Sequence, residues 1–344
     1  MRTRTLLDAA TLESLLAAAV AAPSIHNTQP WRFRLDPESQ VLEVHSAPER
    51  ILPLADPAHR ALYLSVGAAV FNLRLAAVHL GMRPDVRLLP DPQAPGLLAA
   101  VRLTRRLTAD DHLDDAGLHE AIARRHSSRM PFTGRPVPPP IVAEMTAAAH
   151  RAGARLHVPD IAGTRWLLRL TAAAEARNIA DPERAAETRG WITAPGRDAL
   201  YGIPLTALGP PDSAARMPMR DFTGAQAALR RPTLRFERHA QAALLWTSDD
   251  GREDWLRAGQ ALQYVLLTAT ARGVRTSLLH QAMEWPDLRG ATAGSRRLRR
   301  PQMLIRFGYG PDGGHTPRAS ANPEREAGCV TEPRASHPGT GPTG

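Results

Sequence analysis

Lysine is absent from the 344-residue chain, so all 43 of its basic residues are arginine. Its single cysteine, Cys329, excludes an internal disulfide framework and any zinc site built from several cysteines. No apolar run approaches the roughly 18 residues expected of a membrane span. The N-terminus also lacks the apolar segment and small-residue cleavage site of a secretory signal. We therefore expect a cytoplasmic protein without a membrane partner.

Several common ligand motifs are missing as well. There is no G-x-G-x-x-G after a strand, no G-x-x-x-x-G-K-[ST] and no G-x-S-x-G elbow, which argues against a Rossmann site, a P-loop and an α/β-hydrolase. The histidines lack the helical spacing of a metal site. A net charge of +9 is compatible with an anionic ligand or with nucleic acid. Because the arginines are interleaved with acidic residues and no nucleic-acid motif is present, we predict no nucleic-acid partner.

Two stretches of the chain are similar to each other. The segments 67–83, "GAAVFNLRLAAVHLGMR", and 259–275, "GQALQYVLLTATARGVR", are identical at six of 17 positions without a gap. Apolar residues recur in both at three- and four-residue steps, which predicts helices with one buried face. Gly81 and Gly273 occupy the positions of helix C-caps. The pattern indicates an internal duplication, with two unrelated amphipathic helices as the alternative.

The rest of the chain supports two halves of one plan. Each half has a helix followed by strand-like segments, and the Pro-rich stretch 136–140 separates them. We predict a first half at 1–118, a second half at 119–330 and a mobile tail at 331–344. The stretch at about 181–235 is rich in Pro, Gly, Arg and Asp, and loops of this length are commonly lids or binding loops.

Five polar side chains occur within six positions (24–29) of "APSIHNTQPW", residues 22–31, between a predicted helix and a predicted strand. A plain connector needs only one or two turn-forming residues. The amides of Asn27 and Gln29 offer both donors and acceptors to a ligand. Ser24 alternatively caps a turn, and His26 is open between a structural and a catalytic role.

A second polar motif, "ARRHSSRMPF", lies at 123–132. Arg125, Ser127 and Arg129 alternate along it and therefore point the same way if the segment is extended. Two guanidinium groups and a hydroxyl suit a phosphate and a carbonyl oxygen. The alternative is a solvated basic turn.

Together these motifs resemble the FMN-dependent nitroreductase superfamily. "APSIHNTQPW" is similar to its APSxxNxQPW signature and "RRHSSRMPFTGRPVP" to its RRxSxRxF…PVP segment. "GQALQYVLLTATARGV" and "LIRFGYG" are similar to its later helix and strand. The order of the motifs resembles the Acg-like branch, in which two nitroreductase-like halves are fused. The resemblance implies an α+β fold, an internally duplicated pseudo-dimer with helices around mixed, mainly antiparallel sheets.

The resemblance also implies which residues bind FMN. These are Pro23, Ser24, Asn27, Gln29, Arg125, Ser127, Arg129, Thr276, Ser277, Leu278 and Arg318. A mobile Arg318 without a role is the alternative for that residue. Each of the two main motifs has one good copy, so we expect one FMN per chain. No catalytic side chain and no metal are predicted.

Three functions follow as hypotheses. The first is an FMN oxidoreductase that uses NADH or NADPH to reduce a small-molecule acceptor such as a nitroaromatic or a quinone. The second is a non-catalytic protein that binds or sequesters flavin beneath a lid formed by 181–235. The third is a basic scaffold without a ligand. Since a fused pseudo-dimer already contains the usual interface, a monomer is expected.

Overall fold

The computed structural model describes residues 7–36, 39–104, 117–193, 200–223, 231–294 and 299–321. The helices are α1 (Ala9–Val20), α2 (Arg60–His79), α3 (Leu118–Arg124), α4 (Pro139–Arg151), α5 (Ile161–Ala180), α6 (Pro182–Gly190), α7 (Arg252–Ala271) and α8 (Pro286–Thr292). The strands are β1 (Trp31–Asp36), β2 (Val41–Ser46), β3 (Arg83–Leu88), β4 (Leu97–Thr104), β5 (Arg155–His157), β6 (Ile192–Thr193), β7 (Ile203–Pro204), β8 (Gln241–Thr247), β9 (Arg275–Leu279) and β10 (Arg300–Gly308).

The two main sheets have the same strand order. The first runs β1-β2-β4-β3 and the second β5-β8-β10-β9, and every neighbouring pair in both is antiparallel. In each half, a helix precedes the first strand of the sheet and a long helix lies between its second and third strands. The repeated order confirms the predicted α+β fold with two similar halves.

The two long helices, α2 and α7, are both 20 residues long and pack against each other. A Cβ atom at Gly67 would lie 2.1 Å from the carbonyl oxygen of Leu256, and one at Gly259 would lie 2.1 Å from that of Leu64. Only glycine allows so close an approach of two backbones. The contact is reciprocal, as expected of a pseudo-twofold axis that relates the two halves.

The helix ends repeat the same symmetry. Gly81 and Gly273 adopt positive φ angles of 76° and 69° after α2 and α7, as the predicted C-caps require. The amide of Met82 donates to Ala77 and that of Val274 donates to Ala269, both at 2.9 Å. The two helices therefore end in the same hydrogen-bonding pattern.

The apolar side chains of both long helices form one continuous core with the first sheet and part of the second. Among the described residues, α2 alone is long and apolar enough to cross a membrane, but 89% of its apolar window is buried inside the protein. This burial is what a central core helix requires. The sequence alone does not indicate such a segment, because polar residues interrupt the apolar run.

The stretch at 181–235 is more ordered than a long loop in its described parts. It contains α6 and the short parallel pair β6 and β7, and it buries an apolar cluster of its own that includes Ile203 and Phe222. The 20-residue helix α5, which the sequence reading did not identify, precedes it. The domain limits at 118 and 330 stay predictions, and the predicted tail at 331–344 lies outside the described residues.

Candidate active site

A cavity lies where the two halves meet. It encloses about 1130 Å³ of atom-free space, part of which is open to solvent. The front half contributes the loop after α1 and the first turns of α2. The back half contributes the 125–129 segment, the end of β9 and the residues that follow it, and the stretch 314–318. Both sequence motifs thus reach one cavity, as the duplication hypothesis requires.

The front loop has an unusual backbone. His26, Asn27 and Gln29 have positive φ angles of 47°, 55° and 50°, a conformation that residues other than glycine adopt infrequently. The Asn27 side chain donates to the carbonyl oxygens of Gly202 at 2.9 Å and Pro317 at 3.0 Å. The tertiary structure therefore holds the loop in a conformation that local sequence alone disfavours, which is typical of functional sites.

The basic segment is fixed along the edge of the second sheet. Ser128 donates its amide to the carbonyl of Thr276 at 2.8 Å, next to a parallel bridge between Ser127 and Thr276. Behind it, the fully buried Arg306 of β10 donates to the carbonyl of Met130 at 3.1 Å and forms a 2.6 Å ion pair with Glu237. These contacts hold the segment extended, so that Arg125, Ser127 and Arg129 all line the cavity.

The buried Arg125 and the half-buried Arg318 share one end of the cavity. Arg125 is only 3% exposed, which rules out the solvated basic turn, and burial together with the nearby Arg318 lowers the pKa of Arg125 to about 9. Its Nε and Nη1 groups have no hydrogen-bond partner among the described residues. Burial likewise lowers the pKa of Arg318 to about 10, and its Nε donates to the carbonyl of Ala22 at 3.2 Å. Within the described part of the chain, no carboxylate pairs with either guanidinium.

Arg129 occupies a different part of the lining. Its Nη1 donates to the carbonyl of Ala207 at 3.0 Å, and its guanidinium lies 5.8 Å from the ring centre of Phe222. Burial, reinforced by Arg231, lowers the pKa of Arg129 to about 10. The cavity therefore contains positive charge at two places, and no Asp or Glu is among its described lining residues.

His26 faces this second region. Its ring meets the Phe222 ring edge-on with 5.3 Å between centroids, and its Nδ1 has no partner among the described residues. Burial, with a further contribution from Arg220, lowers the pKa of His26 to about 3. The imidazole is therefore neutral at physiological pH.

Residues of the 200–223 stretch close one side of the cavity, which sequence reasoning did not resolve. Ile203, Met219, Arg220 and Phe222 all line it. Arg220 forms a buried ion pair with Glu284, and the buried carboxylate raises the pKa of Arg220 although burial itself opposes this. The Met, Arg and Phe residues of "MPMRDF" indicate a segment that packs against other residues. No sequence pattern shows that Phe222 contacts His26.

The predicted site residues divide into two groups. Those that line the cavity are Pro23, Ser24, Asn27, Arg125, Ser127, Arg129, Ser277, Leu278 and Arg318. Gln29 and Thr276 are buried but are not part of the lining. Gln29 instead binds the backbone, with its Nε2 donating to Leu200 at 2.6 Å and its Oε1 accepting from Ala319 at 2.9 Å. Binding of FMN by any of the eleven residues stays a prediction at this point.

The lining also contains residues that the motifs did not indicate. Ser65 accepts a hydrogen bond from the amide of Ile25 at 3.3 Å and so supports the front loop. His280 accepts at Nε2 from the guanidinium of Arg60 at 2.8 Å and donates from Nδ1 to the carboxylate of Glu284 at 3.1 Å. No group of three potential metal ligands occurs in the described residues. With several guanidinium groups and no Asp or Glu among its described lining residues, the cavity suits an organic anion.

Comparisons with known proteins agree with this geometry. "Putative NAD(P)H nitroreductase Rv3131" of Mycobacterium tuberculosis is 35% identical over 310 residues, covering 88% of this chain and 86% of that protein. "Putative NAD(P)H nitroreductase acg" of the same organism is 28% identical over 327 residues, covering 92% of this chain and 94% of that protein. No family model matches the chain.

The solved structures agree on the fold. A putative nitroreductase from Anabaena variabilis superposes with a TM-score of 0.50 at 11% identity, covering 88% of each chain. The chain therefore has a nitroreductase fold, in which its two similar halves lie on either side of the cavity. The chain belongs to the NAD(P)H nitroreductase family, in its Acg-like branch.

Proposed function

We propose that the protein is an FMN-dependent oxidoreductase of the nitroreductase type. The observation that carries the proposal is the buried guanidinium group of Arg125, which has no carboxylate partner among the described residues and lies beside the half-buried Arg318 at one end of the interfacial cavity. Buried cations without a carboxylate partner are costly unless a ligand supplies the charge. The Nε and Nη1 groups of Arg125 have no hydrogen-bond acceptor among the described residues. A phosphate group would supply acceptor oxygens for both and the negative charge that balances the guanidinium.

The remaining lining fits the rest of such a cofactor. Ser127 and Arg129 continue from the phosphate end along the same extended segment. Ser277 and Leu278 lie beside them on β9, and Asn27 has a buried Oδ1 without a partner in the described residues. The amide, hydroxyl and guanidinium groups of these residues can hydrogen-bond the polar edge of an isoalloxazine ring. Apolar side chains of the lining, such as Leu278, can contact the face of the ring.

When bound, FMN supplies the redox chemistry, accepting hydride from NADH or NADPH and passing electrons to an acceptor such as a nitroaromatic or quinone. The protein's own groups bind and orient. They hold positive charge next to the ring system and exclude water from part of the cavity. Names of relatives that mention NAD(P)H and nitroreduction support this choice of donor and acceptor.

A second function is supported by the residues that close the cavity. Because Ile203, Met219 and Phe222 line it from the 181–235 stretch, this stretch can act as the lid of a protein that stores flavin without turnover. The two functions differ in access to the flavin. A lid that opens permits nicotinamide to enter, whereas a closed lid does not.

One experiment separates the functions. The purified protein is titrated with FMN and then mixed anaerobically with NADPH or NADH while the flavin absorbance near 450 nm is recorded. Rapid bleaching supports the oxidoreductase, and tight FMN binding without bleaching supports storage. If the protein binds no FMN, both functions are contradicted, and the third hypothesis, a basic scaffold without a ligand, is favoured.

Two variants test whether Arg125 and Arg318 bind the phosphate of FMN. Arg125→Ala and Arg318→Ala should each weaken FMN binding by at least about tenfold, the loss of one charge-assisted contact. Arg87→Ala, at an exposed position on β3, is the control and should bind FMN like the wild type. Since the two halves already form the interface, we also propose that the active unit is the monomer.

A further inference from the structure

We propose that α2 and α7 carry unlike contact residues that make each helix select the other and reject a second copy of itself. Like pairing here means α2 against a second copy of α2, or α7 against a second copy of α7. Only the unlike pairing brings the front loop and the basic segment to one cavity. The inference concerns how the cavity is assembled, and it holds whatever ligand the cavity binds.

The glycine crossing does not by itself distinguish the two kinds of pairing. In the ungapped alignment of 67–83 with 259–275, Gly67 is the counterpart of Gly259. Each of these glycines admits the backbone of the facing helix in the same way. A second copy of either helix would present the same glycine and could cross in the same manner. Selection between partners must therefore come from the side chains around the crossing.

One turn beyond the glycines, the same contact is made twice with different chemistry. The ring of Phe71 on α2 stacks on that of Tyr264 on α7, with 4.9 Å between centroids and 27° between ring planes. Their counterparts are Gln263 and Asn72, whose contact is a hydrogen bond of 2.7 Å from Nε2 to Oδ1. Both amide side chains are fully buried. The pseudo-twofold axis therefore relates a ring–ring contact to an amide–amide contact.

Like pairing would mix these two chemistries. Two copies of α2 would set Phe71 against Asn72 at both contacts, and two copies of α7 would set Gln263 against Tyr264. Each buried amide would then face an aromatic ring in place of the amide with which it bonds. A buried polar group that loses its partner destabilises the assembly that contains it. The two contacts therefore favour α2 against α7 over either like pair.

A third contact discriminates in the same direction. Nη1 of Arg74 on α2 donates to Oε1 of Gln260 on α7 at 2.6 Å. The counterparts of these two residues are Leu266 and Ala68, which are buried and apolar. Burial lowers the pKa of Arg74, and its Nε has no partner among the described residues. Two copies of α2 would place each guanidinium beside Ala68, which offers no side-chain acceptor, and would bury the charge at a greater cost.

The selective positions are also tied to the first helix of their own half. Nδ2 of Asn72 donates to the carbonyl oxygen of Ala18 on α1 at 2.8 Å. At the counterpart position, the hydroxyl of Tyr264 accepts from Nη1 of Arg151 on α4 at 3.1 Å. Each half thus holds its own selective side chain in place for the other half.

A double-mutant cycle in the full-length protein tests whether the two amides form a matched pair. Asn72→Leu and Gln263→Leu should each lower the urea midpoint of unfolding by about 0.5 M or more, because the remaining amide is buried without its partner. The double variant should recover at least about half of the summed loss, since both partners are then apolar. Losses that simply add would show that the amides are independent and would overturn the inference.

Refolding of the full-length protein tests the selection itself. A fourfold leucine variant replaces both polar pairs, at Asn72, Gln263, Arg74 and Gln260. Because the link between the halves favours pairing within one chain, the comparison is made at a high concentration, about 50 μM. After dilution from urea, we expect the variant to give a dimer fraction at least about five times that of the wild type. Size-exclusion chromatography with light scattering measures the fraction.

A matched control separates selection from lost stability. Leu73→Ala removes a fully buried apolar side chain of α2 and leaves both polar pairs intact. It should lower the urea midpoint but refold as a monomer. An equal dimer fraction in this control would assign the dimers to lost stability and contradict the inference. A fourfold variant that refolds as a monomer, like the wild type, would contradict it as well.

The FMN content of the separated dimer adds a readout that rests on the proposed function. A dimer formed by like pairing combines two front loops or two basic segments, so it should bind less than about a tenth of the FMN that the monomer binds per chain. A dimer with the full FMN content has exchanged halves in the unlike pairing and would overturn the inference. A wild type that binds no FMN removes the proposed function, while the refolding result still decides this inference.

Discussion

In the front half, ten residues (21–30) separate α1 from β1, whereas in the back half only three (152–154) separate α4 from β5. The scaffold around these connections is the same in both halves. The longer front connection is the polar loop that reaches the cavity, and the shorter back connection has no room for such a loop. Duplication has kept the helices and sheets and has changed the segments that join them.

The first turns of the two long helices show the same contrast. Ala61 and Ser65 of α2 line the cavity, and the positions equivalent to them in α7 are Glu253 and Arg257. These two side chains form an exposed ion pair with each other. The charged pair Glu253–Arg257 occupies the positions where a second cavity would need small side chains like those of Ala61 and Ser65. This difference supports the expectation of one FMN site per chain.

The helix crossing gives the largest expected effect, because both halves depend on it equally. Gly67→Ala and Gly259→Ala should each lower the free energy of unfolding by about 3 kcal/mol or more, since the new Cβ atom would overlap a backbone carbonyl of the facing helix. Gly190→Ala, where a Cβ meets nothing within 4 Å, is the control and should stay within about 0.5 kcal/mol. Urea denaturation measures all three. Unequal losses at the two crossing glycines would break the symmetry between the halves.

A buried ion pair of the back half, Arg220 with Glu284, comes next. Glu284→Gln should lower the free energy of unfolding by about 3 kcal/mol, because the buried Arg220 then loses the carboxylate with which it forms its ion pair. Glu253→Gln, in the exposed pair on α7, should change it by less than about 1 kcal/mol. Thermal or urea denaturation compares the two variants. Similar losses in both would contradict the role given to burial.

Exchanging side chains between the equivalent helix positions tests the single site. Ser65→Arg places the back-half residue in the cavity and should weaken FMN binding at least about tenfold, an effect of roughly 1.4 kcal/mol. Arg257→Ser, the reverse exchange, should keep FMN binding and create no second site. Far-UV circular dichroism checks that both variants fold. Normal FMN affinity in Ser65→Arg would show that the first turns of α2 do not border the cofactor.

The pH dependence of stability tests one buried group of the front loop, His26. Because the pKa of His26 is lowered to about 3, the unfolded chain binds a proton below about pH 6.5 that the folded chain does not. Stability is therefore lost as pH falls from about 6.5 towards 3, by at most about 1.4 kcal/mol per pH unit from this group. His26→Asn should remove that part of the slope in urea denaturation at pH 6.5 and 4.5. An identical slope in wild type and variant would mean that His26 is protonated in the folded protein.

The sequence alone predicted the scaffold well. Helical periodicity located α2 and α7, and the two aligned glycines Gly67 and Gly259 proved to be the helix crossing. Arg125, Ser127 and Arg129 of the basic motif all line the cavity, although His126 between them lines it too, so alternation alone does not describe the segment. The helical features follow from local geometry, which a sequence records directly.

The closing side of the cavity was beyond sequence reasoning. Contacts such as that of His26 with Phe222 join residues almost two hundred positions apart, and only tertiary packing determines them. The same holds for Gln29, which was assigned to the cofactor from its motif. In the structure, its amide joins the front loop to residues 200 and 319. A polar residue in a binding motif can thus support the loop from behind rather than face the ligand.

The number of FMN molecules bound per 37.3 kDa chain tests the central claim most directly. Titration of the apoprotein with FMN, followed by isothermal calorimetry or flavin fluorescence, should end at one equivalent per chain, held at the interface between the halves. An end point of two would show that the back half retains a second site. The absence of any binding would contradict the assignment of the cavity to a flavin.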